Sequence, residues 1–428
     1  MSKPILQVAL DLTELKRAVQ IAKEAVEGGA DWIEAGTPLI KSEGMNAVRT
    51  LRAKFPDNKI VADMKIADTG TLEVEMAAKA GADVVCVLAT SDDSVIEEAV
   101  RAGDLYGVSI MADLLNEKEP AKRAAELEKM GVDIIAAHIG IDQQMRGMKS
   151  VDLLKEISGL VSIPVGAAGG LNDKTAAEAV LSGADILLVG SSITKAADVK
   201  AAAALVRKAI DSPDIDTGKE KSRDDEIRDI LLSVSAPNVT DAMHRKGAMS
   251  GLISLCGEVK MVGRALTVNT IAGDWAKPVE AIDVAQKGDV IVINNQRATY
   301  ISPWGELATN SAFNRGVTGI IIDGAARDVD DIKKVGIPVF ATGTCPNAGE
   351  PKGFGEIGAE ISCCGQQVRN GDWIIGDESG VVVIPKERAY ETARRALEVK
   401  KSEMRIREEI KRGSTLSSVS ELIRWEKK

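Results

Sequence analysis

The sequence predicts an α/β protein whose first half is a (β/α)8 barrel and whose second half is a separate domain. Three observations carry this. The triplets Gly29-Ala30-Asp31, Gly81-Ala82-Asp83, Gly131-Val132-Asp133 and Gly183-Ala184-Asp185 recur about every fifty residues. Each closes an amphipathic helical stretch and opens an apolar run: Trp32-Ile33, Val84–Val87, Ile134-Ile135 and Ile186–Val189. Four more β-rich runs lie between them, at Ile5–Leu10, Lys59–Lys65, Gly107–Asp113 and Ile163–Ala167, giving eight strands alternating with helices.

Taken in order, the predicted strands end in polar residues, where such a barrel carries its chemistry. Asp11 ends strand one, Glu34 strand two, Asp63 and Lys65 strand three, Asp113 strand five and His138 strand six. Side chains of a strand alternate, so Asp63 and Lys65 share the face of Val61, which packs into a core. Two charges there are costly to desolvate unless they pair or do chemistry, and both readings stand at this point. Gly169-Gly170 after strand seven and Gly190-Ser191 after strand eight occupy the loops where barrels often cradle phosphate, so a phosphorylated substrate is expected. The helix Ala196–Ile210 closes the barrel.

The expected organisation is a barrel over 1–210, a charged linker over 211–225 and a second domain over 226–428. That second domain reads as short strands with many glycines and no βα repeat, ending in a highly charged helical tail from Glu387 to Arg412 that is solvated or packs against another subunit.

Length alone suggests two cores, and 45% hydrophobic with 28% charged residues is a globular composition. A net charge of -10 and 3% aromatics argue against nucleic-acid binding. Five cysteines without CxxC spacing support neither structural zinc nor a disulfide framework. No apolar run reaches membrane-spanning length and no signal peptide is expected, which reads as a cytoplasmic protein.

Asp63-Met64-Lys65-Ile66-Ala67-Asp68 resembles the motif of the orotidine-5'-monophosphate decarboxylase superfamily. Within it, residues 5–195 resemble 3-hexulose-6-phosphate synthase through that motif, Ala112–Asn116, His138–Gln144, Ala168-Gly169-Gly170 and Val189–Thr194. The sister 3-keto-L-gulonate-6-phosphate decarboxylases carry arginines where this chain has Ile141 and Ser191, which favours the synthase. The resemblance implies reversible addition of formaldehyde to ribulose 5-phosphate through an enediolate. It also implies Mg²⁺ (or Mn²⁺) on Glu34 and Asp63, positive charge from Lys65 and proton transfer by His138. Asp68 would orient Lys65 across a dimer interface, Asp11 would contact substrate hydroxyls or Lys65, and Gly169, Gly170, Gly190 and Ser191 would hold phosphate. Asp113 has no assigned role.

In the second half, Glu306 is followed after twenty residues by Arg327-Asp328, with Asp331 three residues beyond Asp328. Chemistry alone allows an ion pair tying helix to strand as readily as a site. Together with Ala236–Ala242 and Gly371–Pro385, the spacing resembles the family joining RraA regulators and class II 4-hydroxy-4-methyl-2-oxoglutarate aldolases. That resemblance implies a three-layer β/β/α swivelling domain, usually trimeric, with Mg²⁺ on Asp328 and, through water, Glu306. Arg327 would bind a pyruvate-derived oxo acid. The alternative is a non-catalytic regulatory or oligomerisation module. Barrel dimers joined to trimers would give a homo-oligomer, perhaps hexameric.

Overall fold

In the computed structural model, which describes residues 3–214 and 221–419, the chain divides into two units: Met1–Gly218 with Lys401–Lys428, and Lys219–Lys400. The first unit contains a closed barrel of eight parallel strands in sequence order. They are β1 (Ile5–Leu10), β2 (Trp32–Ala35), β3 (Lys59–Ile66), β4 (Val84–Leu88), β5 (Ser109–Asp113), β6 (Ile134–His138), β7 (Val165–Ala168) and β8 (Ile186–Val189).

Alternation divides the barrel's apolar residues into two sets. Ile33, Ile60, Ala62, Val85, Ile135 and Leu187 pack outward beneath the helices. Val61, Val84, Cys86, Met111, Ile134, Ala136 and Ile186 form the barrel interior. Continuing the inward set toward the C-terminal strand ends leads to Glu34, Asp63, Asp113 and His138, so the pleat that fills the core also delivers the polar groups to one mouth. The closing helix spans Val199–Asp211.

The second unit is built on a mixed sheet ordered β18-β17-β10-β11-β12-β13-β9, with β14 paired to β10. Its strands are β9 (Ile253–Ser254), β10 (Met261–Asn269), β11 (Asp289–Ala298), β12 (Gly319–Ala326), β13 (Val339–Thr344), β14 (Glu356–Ile357), β17 (Trp373–Asp377) and β18 (Gly380–Ile384). A separate hairpin pairs β15 (Ile361–Cys363) with β16 (Gln366–Val368). Ile291, Ile293, Ile320 and Ile322 face Ala281, Ala312 and Ile332 of the covering helices. Val290, Val292, Ile321 and Phe340 face the opposite way, toward Ile361, Cys363, Cys364 and Val368 of the hairpin. Helices, sheet and ribbon make the three layers expected.

One expectation fails. β10, β11, β12 and β13 are parallel neighbours joined by helices Ala276–Val284, Glu306–Asn314 and Val329–Val335, so this unit does contain successive βα crossovers. Their unequal loops give no fixed sequence period, which is why the repeat was not visible.

Of the expected linker, residues 215–220 lie outside those described; Arg223–Asp225 form the first turn of a helix, with Ser222 Oγ accepting from Asp225 N. The charged tail is a helix, Ala389–Lys411, that belongs to the second unit as far as Lys400 and to the first from Lys401. In its last turns Arg405 is 4% exposed and bonds Glu24 Oε2 at 3.2 Å and Glu409 Oε1 at 3.0 Å. Arg17 Nε reaches Glu409 Oε2 at 3.0 Å. This end of the tail is therefore held by partly buried charge pairs to the first helix, Leu15–Glu27, rather than solvated. Among the described residues no helix is long and apolar enough to cross a membrane.

Candidate active site

At the barrel mouth one connected chain of charges joins three strands. Lys65 Nζ donates to Asp63 Oδ1 at 3.0 Å and to Asp113 Oδ2 at 2.7 Å. His138 Nδ1 lies 2.9–3.0 Å from both Asp113 oxygens. A carboxylate accepts there, so Nδ1 donates and Nε2 is the ring nitrogen left for proton transfer. Leu115 N adds a third donor to Asp113 at 2.9 Å. Burial pushes the Asp113 carboxyl up, but the His138 and Lys65 contacts outweigh it and bring it down to about 2. Burial likewise works against the Lys65 ammonium, yet Asp113 and Asp63 overcome it and raise its proton affinity. Lys65 is thus a fixed cation here.

The backbone bends to allow this. Lys65 has φ 49°, left-handed for a residue with a side chain, and the β3–β4 register shifts between Ala62 and Ile66. Such a conformation costs about 1–2 kcal/mol and persists where surrounding contacts enforce it.

Beside this chain stands a second group of acids. Glu34 and Asp63 are 5% and 6% exposed. Gln7 Nε2 donates to Glu34 Oε2 at 2.5 Å, and Thr37 Oγ1 donates to Asp63 Oδ2 at 2.7 Å. Burial first, then the charges of Asp63 and Asp11, push Glu34 well above the usual carboxylate range. Asp11 is raised by desolvation and then by Asp63, against Lys65, His138 and Lys195. By surface area its residue is exposed, so it is recessed within an open mouth rather than sealed. A side chain at Gly36 would collide with Asp11 Oδ1, and Gly190 lies beside Asp11 Oδ2.

Gly169 and Gly170 have φ of 106° and 73°, which glycine alone adopts freely, and a Cβ on Gly169 would strike the Ile139 carbonyl. Ser191 opens the short helix Ser191–Thr194 after β8, and Ser192 Oγ donates to Leu171 O at 2.6 Å, tying the seventh and eighth loops together. A cavity of about 300 Å³ opens at His138, lined also by Asn116, Gln143 and Lys149.

Asp68 stands apart from the other predicted residues. It is exposed and accepts from Thr69 N at 2.8 Å, while the acids on Lys65 within the chain are Asp63 and Asp113. Asp113, to which the sequence assigned nothing, is the hub; its place at a strand end was the available signal. Gln7 was missed although it is a polar residue within an apolar strand, and Thr37 left no signal at all.

In the second unit, β12 ends at Ala326 and the turn presents Arg327 and Asp328, the latter at φ 56°. Asp328 Oδ2 accepts from Arg327 Nε at 3.1 Å and faces Glu306 N, at the start of helix Glu306–Asn314, at 3.4 Å. Asn310 Nδ2 donates to Glu306 Oε1. A Cβ on Gly305 would collide with Asp328 Oδ2 and crowd Arg327. Arg327 and Asp328 therefore meet the start of the Glu306 helix through its backbone, while the Glu306 carboxylate accepts from Asn310, and the ion pair is between neighbours Arg327 and Asp328 rather than between helix and strand. Asp331 pairs instead with Lys334 at 2.6 Å.

Fold and mouth together define the first unit as a single-barrel protein equipped for acid–base chemistry at a charged site. Residues 4–206 match the model of the Orotidine 5'-phosphate decarboxylase / HUMPS family, and the chain belongs to that family. Residues 236–383 match the RraA-like model, described as Aldolase/RraA, so the chain is a fusion of the two.

The 3-hexulose-6-phosphate synthase of Bacillus subtilis (strain 168) is 37% identical over 206 residues, 98% of that protein and 48% of this chain. That of Methylomonas aminofaciens is 41% identical over 199 residues, 95% of that protein and 46% of this chain. The solved structure of a 3-hexulose-6-phosphate synthase from Salmonella typhimurium aligns with TM-score 0.47 at 34% identity, over 98% of that chain and 48% of this one.

Proposed function

We propose that the barrel unit is an aldehyde-lyase that interconverts formaldehyde plus D-ribulose 5-phosphate and D-arabino-hex-3-ulose 6-phosphate. The observation that carries this reading is the chain Asp63–Lys65–Asp113–His138 at the mouth, supported by relatives of that name spanning the whole barrel. His138 Nε2 takes the proton from C1 of the ketose, with Asp113 holding the ring and stabilising the imidazolium that forms. Lys65, held cationic, stabilises the enediolate oxygens. The enediolate carbon attacks formaldehyde, and the new alkoxide takes a proton to give the hexulose phosphate. Asp11 orients substrate hydroxyls, and the Gly169-Gly170 and Gly190-Ser191 loops take the phosphate.

Glu34 and Asp63 fit a hard divalent cation: all donors are oxygen, and burial together with the neighbouring charges of Asp63 and Asp11 raises the Glu34 carboxyl, a cost that a bound cation would relieve. The buried Gln7 Oε1, which has no hydrogen-bond partner among the described residues, adds an acceptor beside Glu34. Bound there, Mg²⁺ (or Mn²⁺) would supply Lewis-acid stabilisation of the developing negative oxygens. The same cation is assigned to Asp328 and Glu306 in the second unit, where Arg327 offers a guanidinium to the carboxylate of a pyruvate-derived oxo acid. The second unit is thereby a pyruvate-enolate aldolase or decarboxylase.

The protein is assigned to the cytoplasm as a homo-oligomer. Support for a barrel dimer comes from exposed Leu72 and Met76 on helix Gly70–Lys79, which begins two residues after exposed Asp68, and from exposed Leu105 at the far end of the neighbouring helix Asp93–Tyr106. Asp68 would reach the partner's site from that face.

The test mixes the purified protein with formaldehyde, ribulose 5-phosphate and Mg²⁺ and follows formaldehyde loss, with EDTA and Asp63→Ala as controls. Metal-dependent loss absent from the variant supports the assignment; no loss from folded, metal-loaded protein refutes it.

A further inference from the structure

A second cluster of ionisable groups lies in the other unit, away from Glu306, Arg327 and Asp328 in the sheet's layering. β12 alternates Ile320 and Ile322 toward the helices with Ile321 toward the ribbon, and Asp323 follows Ile321 onto the ribbon face. There it meets the hairpin turn: Asp323, Cys363 and Cys364 are all buried, and one ligand atom from each lies within 4.8 Å of the others.

Two features set this apart from thiols filling a core. Asp323 is 4% exposed, and although its Oδ2 accepts from Cys364 N at 2.8 Å, its buried Oδ1 has no hydrogen-bond partner among the described residues. Arg297 Nε, on an exposed side chain, lies 3.9 Å from that oxygen. A buried carboxylate oxygen without a partner is unfavourable unless something cationic completes it. Moreover, Cys363 pairs with Gln366, leaving Cys364-Gly365 as a two-residue turn with φ of 50° and 82°. Turns with both central residues at positive φ favour Asn, Asp or Gly first, so a cysteine there is conformationally strained. The strain places its thiol beside Asp323.

We propose that Asp323, Cys363 and Cys364 form a binding site for a thiophilic divalent cation of the zinc class, pinning the β15–β16 hairpin to the end of β12. Two sulfurs and one carboxylate oxygen suit such an ion rather than Mg²⁺. Tetrahedral ligands at about 2.3 Å from zinc stand roughly 3.8 Å apart, so the cluster closes on an ion with a shift of about 1 Å. Binding replaces two S–H bonds by two metal–sulfur bonds and releases two protons to water, with no change of oxidation state. Arg297 offsets the remaining negative charge. Three side chains leave the fourth position to water or a backbone carbonyl.

The experiment titrates reduced, full-length protein with Cd²⁺ and follows the ultraviolet thiolate-to-cadmium absorption, which carboxylate sites do not produce. The expected result is saturation at one equivalent, with competition by Zn²⁺ but not by excess Mg²⁺. The signal is lost in Cys363→Ser with Cys364→Ser, and affinity falls by about tenfold or more in Asp323→Asn. Should a cysteine variant fail to fold, cadmium NMR on the unaltered protein decides, because its shift reports the number of sulfur ligands: two are expected. Absence of the absorption, its persistence in the double variant, or a shift showing no or one sulfur overturns the proposal.

Discussion

Replacing Asp113 by Asn is the sharpest test of the barrel site. The amide keeps the shape of the carboxylate but removes the charge shared by Lys65 and His138. Asp113 is held near 2 against 3.8 for an ordinary aspartate, a gap worth about 2 kcal/mol of folded-state stabilisation. Its side chain is only 6% exposed, so solvent screening takes little from this figure. Because the native value is depressed, the stabilisation is complete above pH ~4 and drains away as pH falls toward about 2. Hydrogen exchange on peptides from β5 and β6 reads the barrel alone in a two-unit chain. Opening free energy at pH 7 should drop by about 2–3 kcal/mol in Asp113→Asn, within the range for breaking a buried charge contact. The difference from the parent should shrink between pH 4 and pH 2. Equal protection at pH 7, or a difference independent of pH, would refute the view that Asp113 is the charge hub. On the functional side, formaldehyde consumption should fall by about 10²-fold or more, since both the cation and the base lose their common anchor.

His138→Asn should lower turnover by about 10²–10⁴-fold with little change in KM, measured by steady-state formaldehyde loss, because only proton transfer is removed. Divalent-cation binding to the barrel should strengthen as pH rises and release a proton, since the raised Glu34 carboxyl must ionise first; calorimetry in buffers of different ionisation enthalpy reads this, and Glu34→Gln should abolish the proton release. Arg327→Ala should abolish cleavage of pyruvate-derived aldols and leave formaldehyde consumption intact; equal loss of both would mean the two activities share a site. Arg405→Ala takes the buried guanidinium from Glu24 and Glu409, which keep Arg412 and Arg17, and should speed exchange in helix Leu15–Glu27, at a cost of about 2 kcal/mol. Light scattering should show an oligomer that Leu72→Glu with Leu105→Glu weakens; a monomeric parent would remove the role given to Asp68.

The barrel was legible because its information is local and periodic. Each Gly-x-Asp triplet marks a helix end and a strand start, and alternation along β2, β3, β5 and β6 aims Glu34, Asp63, Asp113 and His138 at one mouth. The spacing from Glu306 to Arg327-Asp328 likewise marked a helix start and a strand end that the fold brings together. What only tertiary structure decided is which of these groups meet. Lys65 reaches Asp113 across forty-eight residues through a left-handed residue in β3, a bend no alternation rule contains. Asp113 therefore became the hub, a role no residue pattern assigned. The crossovers of β10–β13 escaped because their loops are unequal, and the charged tail's last turns found burial against Glu24 because charge composition does not say whether a partner of opposite sign lies within reach. Periodicity is written into neighbouring residues; pairing between distant charges depends on the distances that the closed barrel and the three-layer sheet impose.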